Sequence, residues 1–258
     1  MSMRPLILGH RGASAVAPEN TLAAFSRAMS DGADGIEFDV RLSRDRVPVV
    51  IHDANLNRTA GVARRVSDLT AKELQQIDVG SWFDERTGNP QVTFAGEKLP
   101  TLEQVYELFG ENSGVLYVEM KCEGDEPVDL AEGVVRLTRA FGLVDRVVVE
   151  SFDLSGIAAV KKIDADIRTA ALFEPKLSQP LSSLLRQRMV AAALDAGADE
   201  IALHHSLAGA RVIEKAKREG LEVVVWTVDE PCWIETARSL GIKALIANNP
   251  AAMLRHSG

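Results

Sequence analysis

The sequence predicts an α/β fold, a somewhat irregular (β/α)8 barrel of the TIM type, with residues 1–258 as one domain. Short apolar runs rich in β-branched residues alternate with amphipathic helical stretches, which indicates parallel strands joined by helical crossovers. The length of 258 residues suits a single barrel. Glycines at the expected ends of helical stretches support the same pattern: Gly142, Gly197, Gly220 and Gly241.

Nine runs have the composition of strands, one more than a barrel of this type contains. They are Leu6–His10, Gly35–Val40, Val47–His52, Val115–Lys121, Val147–Phe152, Arg168–Phe173, Glu200–His205, Glu222–Thr227 and Lys243–Ala247. The connection from Val40 to Val47 is too short for a parallel crossover, which needs about a dozen residues or more. We therefore predict a hairpin over Gly35–His52 that turns near Asp45 and contains the surplus strand. The alternative assigns the surplus to Lys243–Ala247.

The segment from Asp53 to Gly114 interrupts the alternation of strands and helices. Two capping-box patterns, at Thr70–Glu73 and Thr101–Gln104, predict the starts of short helices within it. Long connections in compact domains more often serve a function than not. We predict that residues 53–114 form an insertion, a small cap, across the mouth of the barrel.

Composition excludes several classes of function. Acidic residues outnumber basic ones by 37 to 29, so the net charge of −8 disfavours a nucleic-acid binder. The chain has no apolar run of transmembrane length, and we expect no stable membrane insertion. Its first residues lead almost directly into a strand without the pattern of a signal peptide, so we expect a cytoplasmic protein. The sequence leaves a homo-oligomer open.

Carboxylates gather at the predicted C-terminal strand ends, where barrels of this type build their sites. Glu37 and Asp39 lie two residues apart on one strand and therefore point to the same face. The predicted hairpin also sets Glu37 almost opposite Asp53, with His52 in reach. Together with Glu119 on the next barrel strand, Glu37 and Asp39 form a set of oxygen ligands without a thiolate. Such a set suits one hard divalent cation, Mg²⁺ or Ca²⁺, better than zinc.

Five further residues at these strand ends suit work on a phosphate ester. His10 and His52 can serve as general acid and base, because imidazole titrates near neutral pH. Arg11 and Lys121 add positive charge for phosphoryl oxygens, and Trp226 ends a strand at the same mouth, where we expect substrate. Taken singly, each residue is more often structural than functional. Their convergence on one mouth of one barrel favours a site.

Other residues carry no comparable signal. His204 and His205 end the seventh strand run, but nothing pairs them with a task. The stretch Pro18–Thr21 has the pattern of a helix start. The chain has no Walker-type phosphate loop, dinucleotide fingerprint, nucleophile elbow or cysteine-based zinc spacing.

Several of these residues fall in stretches that resemble the glycerophosphodiester phosphodiesterases. In family order the stretches are His10–Gly12, Pro18–Thr21, Gly32–Val40, Pro48–Asp53, Arg58–Thr59, Leu99–Leu102, Glu119–Lys121, Ser151–Phe152 and Val225–Val228. They extend over nearly the whole chain, are specific as a set, and are most similar to the short cytoplasmic bacterial members.

The resemblance implies a barrel enzyme that hydrolyses a glycerophosphodiester to glycerol 3-phosphate and an alcohol. It implies that the three carboxylates hold a metal, that the two histidines form the acid–base pair, and that Arg11 and Lys121 contact phosphate. The segment 53–114 matches the family's small cap. One departure lies near the mouth: the family usually ends its last strand with Thr-Asp before an Asn or His and Pro, where this chain reads Ala247-Asn248-Asn249-Pro250.

Two alternatives remain at this stage. The first is a related barrel phosphodiesterase acting on lysophospholipid or phosphoinositide head groups, although the sequence offers little apolar surface for lipid access. The second is a barrel that binds phosphodiesters without cleaving them. Retention of both histidines and all three carboxylates argues against the second.

Overall fold

The computed structural model describes residues 4–88, 92–110, 114–122, 127–175 and 183–256, with the backbone only for 183–187. Its strands are β1 Leu6–His10, β2 Gly35–Leu42, β3 Pro48–Val50, β4 Val115–Met120, β5 Val147–Ser151, β6 Arg168–Phe173, β7 Glu200–His204, β8 Glu222–Trp226 and β9 Ala244–Ala247. All strands except β3 are parallel, and β1 pairs with both β2 and β9. These two pairings close the sheet into an eight-stranded barrel, which confirms the predicted fold class.

The surplus strand belongs to the predicted hairpin. β3 pairs antiparallel with β2, with Val40 opposite Val50, and the Ile51 amide extends the ladder by donating to the carbonyl oxygen of Asp39 at 3.0 Å. The alternative assignment is wrong, because β9 is one of the eight barrel strands and pairs with β1 on one side and β8 on the other. Several strands are shorter at the mouth than predicted, since residues such as His52 have already left the ladder.

Helices cover the outside of the barrel and form part of the segment after β3. They are α1 Leu22–Ser30, α2 Asn57–Ala60, α3 Ala71–Leu74, α4 Ser81–Thr87, α5 Leu102–Phe109, α6 Pro127–Ala140, α7 Leu154–Ile163, α8 Ser183–Asp195, α9 Ala210–Arg218, α10 Cys232–Leu240 and α11 Pro250–Leu254, with 3₁₀ turns at Val66–Asp68 and His205–Leu207. The four glycines predicted to end helices all adopt positive φ. Within the described part of the chain, no helix is long and apolar enough to span a membrane.

The N-terminal end of the barrel is closed by a buried polar network around Glu200. Tyr117 Oη donates to Glu200 Oε2 at 2.7 Å, while Arg168 Nη2 and Lys243 Nζ donate to Glu200 Oε1 at 3.0 and 2.6 Å. Above this floor the interior is filled with aliphatic side chains such as Leu8 and Val224. A ligand can therefore enter from the C-terminal end of the strands, as in other barrels of this type.

The segment after β3 packs into two separate apolar clusters. Both predicted capping boxes are present, Thr70 with Glu73 at α3 and Thr101 with Gln104 at α5. A small apolar cluster holds the first part against β3: Val49, Ile51, Leu56, Val66, Leu69, Ala71, Leu74, Val79 and Leu99. The last helix, α5, instead buries its apolar face in the cluster that surrounds the barrel wall. The segment is thus anchored beside the β2–β3 hairpin.

Candidate active site

The C-terminal ends of the barrel strands open into a cavity of about 480 Å³. It is lined by His10, Arg11, Glu37, His52, Glu119, Lys121, Glu150, Phe152, Leu172, Glu174, Trp226 and Ile246. All the site residues predicted from the sequence are in this lining except Asp39, which is fully buried in contact with Arg11 and Lys121. Among the described residues of 54–114, none lines the cavity. A position of this segment across the mouth stays a prediction.

Three buried carboxylates form the base of the site. Glu37 and Asp39 lie on β2, and the register of β2 with β4 pairs Asp39 with Glu119. One oxygen from each carboxylate lies within 4.8 Å of the other two. Burial, followed by repulsion from the neighbouring carboxylates, raises the pKa of Glu119 to about 8 and that of Glu37 well above its ordinary value. For Asp39 burial acts in the same direction, but the Lys121 and Arg11 cations together hold its pKa below the ordinary value.

The oxygen atoms of this cluster fit a divalent cation. Asp39 Oδ1 and Glu119 Oε1 are buried and accept no hydrogen bond of good geometry, although Lys121 Nζ lies 3.1 and 2.5 Å away from them. A single ammonium group therefore serves two carboxylates, while among the described residues Glu37 accepts a hydrogen bond from one backbone donor, the Arg11 amide at 3.1 Å. Hard oxygens with spare lone pairs and no thiolate are the donors that Mg²⁺ and Ca²⁺ prefer. The cluster can thus hold a metal ion.

A left-handed turn directs the backbone after β1 towards the carboxylates. Arg11 has a φ of 52° and Gly12 a φ of 83°. A β-carbon on Gly12 would lie 2.6 Å from a backbone atom of Ala24, so only glycine fits there. The turn allows the Arg11 amide to donate to Glu37 Oε2. Non-glycine residues adopt such a backbone mainly where surrounding contacts hold them, often at functional sites.

His10 is held by a residue from the other end of the chain. Its Nδ1 lies 2.7 Å from Asn248 Oδ1, which also accepts from Ser14 Oγ at 3.0 Å. The Asn248 amide nitrogen donates to Asp229 at 2.7 Å, so the amide presents its oxygen to the ring. This network assigns the proton to Nδ1 and leaves Nε2, 3.8 Å from Glu37, as an acceptor. Burial and the neighbouring arginine lower the pKa of His10 to about 4, so the ring is neutral at pH 7.

His52 has a carboxylate where His10 has an amide. His52 Nδ1 lies 2.6 Å from Asp53 Oδ1. Although burial would raise it, hydrogen bonds from Arg58 and His52 lower the pKa of Asp53 to about 2, so Asp53 is an acceptor at neutral pH. The proton therefore sits on Nδ1 of His52, and Nε2 is the free nitrogen. Burial lowers the pKa of His52, and the Asp39 charge opposes that effect.

The stretch predicted as a helix start has a second role that the sequence did not reveal. Thr21 caps α1, as predicted. The two residues before it support the site: Asn20 Nδ2 donates to Asp39 Oδ2 at 2.8 Å, and Glu19 Oε1 accepts from Arg11 Nη1 at 2.8 Å. A helix start needs neither contact. The signal in the sequence was the pair Glu19 and Asn20, which follows the charged end of β1 at Arg11.

Glu150 is a buried carboxylate in the cavity lining that sequence reasoning missed. It is 1% exposed, lies beside Glu119 in the register of β4 and β5, and has an oxygen without a hydrogen-bond partner. Burial, together with Glu37 and Glu119, raises its pKa well above the ordinary value. A lone acidic residue within the apolar run Val147–Phe152 was the signal that could have identified it.

Aromatic residues form one side of the cavity. The Trp226 ring packs edge-on against Phe152, with centroids 5.5 Å apart, and against His204 at 5.3 Å. Trp226 and Phe152 line the cavity, whereas His204 and His205 do not. The two histidines stack on each other at 4.1 Å outside it. The structure thus brings a tryptophan, but not the second histidine pair, to the site.

The sequence model of the "Glycerophosphoryl diester phosphodiesterase family" matches residues 10–252. The chain belongs to this family. It is therefore an enzyme of the phosphoric diester hydrolase class. The family match includes every residue that the sequence assigned to the site.

The chain is similar over nearly its whole length to individual proteins of known sequence or structure. A glycerophosphodiester phosphodiesterase of Caldanaerobacter subterraneus subsp. tengcongensis is 32% identical over 254 residues, which cover 98% of this chain and 97% of that protein. The crystal structure of a glycerophosphodiester phosphodiesterase from Agrobacterium tumefaciens has a TM-score of 0.79 at 26% identity, and covers 97% of this chain and 99% of that one. An Oleispira antarctica phosphodiesterase solved with the product sn-glycerol-3-phosphate shares the fold, with a TM-score of 0.84 at 23% identity and coverage of 98% and 96%.

Proposed function

We propose that this phosphodiesterase hydrolyses glycerophosphodiesters to glycerol 3-phosphate and an alcohol, with one divalent cation and with His10 and His52 as its acid–base pair. One observation carries the proposal. One cavity holds two histidines beside a carboxylate cluster and the positively charged side chains of Arg11 and Lys121. In each histidine Nδ1 is hydrogen-bonded and Nε2 is free. The product bound to the Oleispira antarctica phosphodiesterase belongs to the same chemistry.

The cation would be held by the three buried carboxylates, with Mg²⁺ and Ca²⁺ as the candidates. When bound, it supplies positive charge that polarises a phosphoryl oxygen and stabilises the charge that develops there. Arg11 and Lys121 lie at the same cluster and would bind the remaining phosphoryl oxygens. Trp226 would pack against the carbon atoms of the substrate.

The partners of the two histidines support a different role for each. Asp53 is an anion and offsets part of the lowering that burial causes in the pKa of His52, so that His52 can take up a second proton at Nε2 and act as the general acid. Asn248 is neutral, and the low pKa of His10 leaves its Nε2 unprotonated, which suits a general base. In the first step His10 takes a proton from the attacking hydroxyl, and His52 gives one to the departing alcohol. The roles reverse in the second step, which restores both residues.

The attacking group in this scheme is the 2-hydroxyl of the substrate's glycerol. Its oxygen bonds to phosphorus while the bond from phosphorus to the alcohol breaks, and a cyclic phosphate forms. Water then opens the ring to glycerol 3-phosphate. A tethered nucleophile has a large entropic advantage over free water. Two acid–base groups that exchange roles are what the two steps require.

An analogue that lacks the 2-hydroxyl tests this route. We expect 2-deoxyglycerophosphocholine to bind and inhibit competitively, with no measurable release of choline, because it cannot form the cyclic phosphate. Turnover can be followed by choline release, and binding by inhibition of the parent substrate. Hydrolysis of the analogue near the parent rate would show instead that water attacks directly.

The proposed function is tested with purified protein and glycerophosphocholine. Exhaustive chelation is expected to abolish release of glycerol 3-phosphate, and Mg²⁺ or Ca²⁺ is expected to restore it, because the carboxylates need a shared counter-charge. Lysophosphatidylcholine serves as the comparison substrate for the lipid alternative. Full activity after chelation would contradict the proposed requirement for a cation. Faster cleavage of lysophosphatidylcholine than of glycerophosphocholine would contradict the proposed substrate class.

A further inference from the structure

We infer that Arg58 is a positioning residue that holds the acid–base histidine and the phosphate-binding arginine in a fixed relation. The inference rests on the proposed roles of His52 and Arg11. Arg58 lies outside the cavity lining, on the short helix α2 of the 53–114 segment. It contacts neither the carboxylate cluster nor His52 or Arg11. It bonds instead to Asp53, the carboxylate partner of His52, and to Glu19, the carboxylate partner of Arg11.

The Arg58 guanidinium bonds to two carboxylates at once. Its Nη1 and Nη2 donate to Glu19 Oε2 and Oε1, both at 2.8 Å, in a two-pronged contact. Its Nε donates to Asp53 Oδ2 at 2.7 Å. Each carboxylate also bonds to a residue of the site. Asp53 Oδ1 accepts from His52 Nδ1, and Glu19 Oε1 accepts from Arg11 Nη1. Arg58 therefore links the loop after β1 to the chain leaving β3.

A planar, multiply donating cation is well suited to make this link with both oxygens of Glu19 and one of Asp53. Arginine donates from three nitrogens in fixed directions, whereas a lysine ammonium at the same place can approach one carboxylate closely but not both. Glu19 and Asp53 would otherwise be free to rotate towards other donors. His52 would then lose the fixed orientation of its ring, and Arg11 its fixed distance from the phosphate. These losses affect the transition state more than the fold.

A role in stability alone is a poor account of this arrangement. The Arg58 side chain is 42% exposed, so solvent screens its ion pairs, and even with the two-pronged geometry their contribution to folding is modest. Its two acceptors are less exposed, at 13% for Glu19 and 23% for Asp53, and both face the site residues. Removing Arg58 is therefore expected to reduce activity without a matching loss of stability.

The test compares three variants by kcat, KM for glycerophosphocholine, and thermal melting. Arg58→Ala is expected to lower kcat/KM roughly 10- to 100-fold, mainly through kcat, with a melting temperature close to that of wild type. Arg58→Lys is expected to recover part of the loss, as is methylguanidinium added to Arg58→Ala. Arg86→Ala is the matched control: this exposed arginine of the same segment packs over Trp82 and Phe83, and its removal should leave kcat unchanged.

A double-mutant cycle with Asp53→Asn identifies the route. If Arg58 acts through Asp53, the double variant loses little more activity than the worse single variant. Fully additive losses, or an Arg58→Ala variant within about threefold of wild type, would overturn the inference. His52→Ala separates the two hypotheses. Near-normal activity of His52→Ala refutes the acid–base pair. A large loss of activity in His52→Ala together with near-normal activity of Arg58→Ala refutes only the positioning role.

Discussion

Replacing His52 with alanine is expected to lower kcat for glycerophosphocholine about 10²- to 10⁴-fold, and His10→Ala is expected to do the same. Each ring has one nitrogen fixed by a partner and one facing the cavity, the arrangement required of a proton donor or acceptor. Alanine removes the proton transfer and should leave the barrel intact, since both histidines line the open cavity at the strand ends. Steady-state kinetics with the cation saturating measures the effect.

The double variant and a control make this prediction specific. The losses from His10→Ala and His52→Ala should be far from additive, because both residues serve one proton-transfer sequence. His205→Ala should have a small effect, since His205 lies outside the cavity and bonds to the carbonyl oxygen of Thr227. A His52→Ala enzyme with near-normal turnover would exclude the proposed pair.

Glu119→Gln is expected to abolish turnover while it stabilises the cation-free protein at pH 8. The pKa of Glu119 is raised from 4.5 to about 8 by burial and by Asp39, so the folded state binds more protons than the unfolded state between these values. Stability must therefore fall as pH rises through this window. Glu37 and Glu150, whose pKa values are also raised, act in the same direction.

The sign is clearest above about pH 6.5. Below that value His10, whose pKa is lowered from 6.5 to about 4, makes stability rise with pH and opposes the carboxylates. Between pH 6.5 and 8 the raised carboxylates dominate, and the wild-type protein in chelator should lose on the order of a few kcal/mol of unfolding free energy. Glutamine at 119 keeps the side-chain size but carries no charge, so the decline should be smaller.

Chemical denaturation at pH 6.5 and pH 8, with chelator and with saturating Mg²⁺ or Ca²⁺, measures both effects. A cation that binds only the folded state should stabilise wild type, and more so at the higher pH, where fewer protons compete for the oxygens. Glu119→Gln should show little of this stabilisation. Cation-free stability that rises from pH 6.5 to 8, or a wild-type protein indifferent to cation, would contradict the prediction.

Local rules of the chain were sufficient to predict the barrel and its hairpin. The short connection from Val40 to Val47 allows no crossover, so the two strands must be antiparallel neighbours, as they are. The two-residue period of a strand likewise put Glu37 and Asp39 on one face. Such inferences depend on spacing within a few residues, where the backbone leaves few choices.

The partners of the site residues could not be predicted in this way. Asn248 reaches His10 only because β1 pairs with β9, across 238 positions of sequence. Glu19 and Arg58, 39 positions apart, meet because the loop after β1 and helix α2 lie at the same rim. The position of Glu150 beside Glu119 follows from the register of β4 and β5. No local pattern specifies pairings of this range.

By itself the sequence determined the barrel, the end of the barrel that holds the site, and the residue types gathered there. Those follow from hydrophobic periodicity and from the cost of burying charge without a partner. Only the tertiary structure decided how the two histidines differ. Closure of the barrel brings the neutral amide of Asn248 to His10, whereas the contact from Arg58 keeps Asp53, the sequence neighbour of His52, ionised and bonded to that ring. Because the charge of the partner sets the proton affinity of an imidazole ring, that difference arises only in the folded chain.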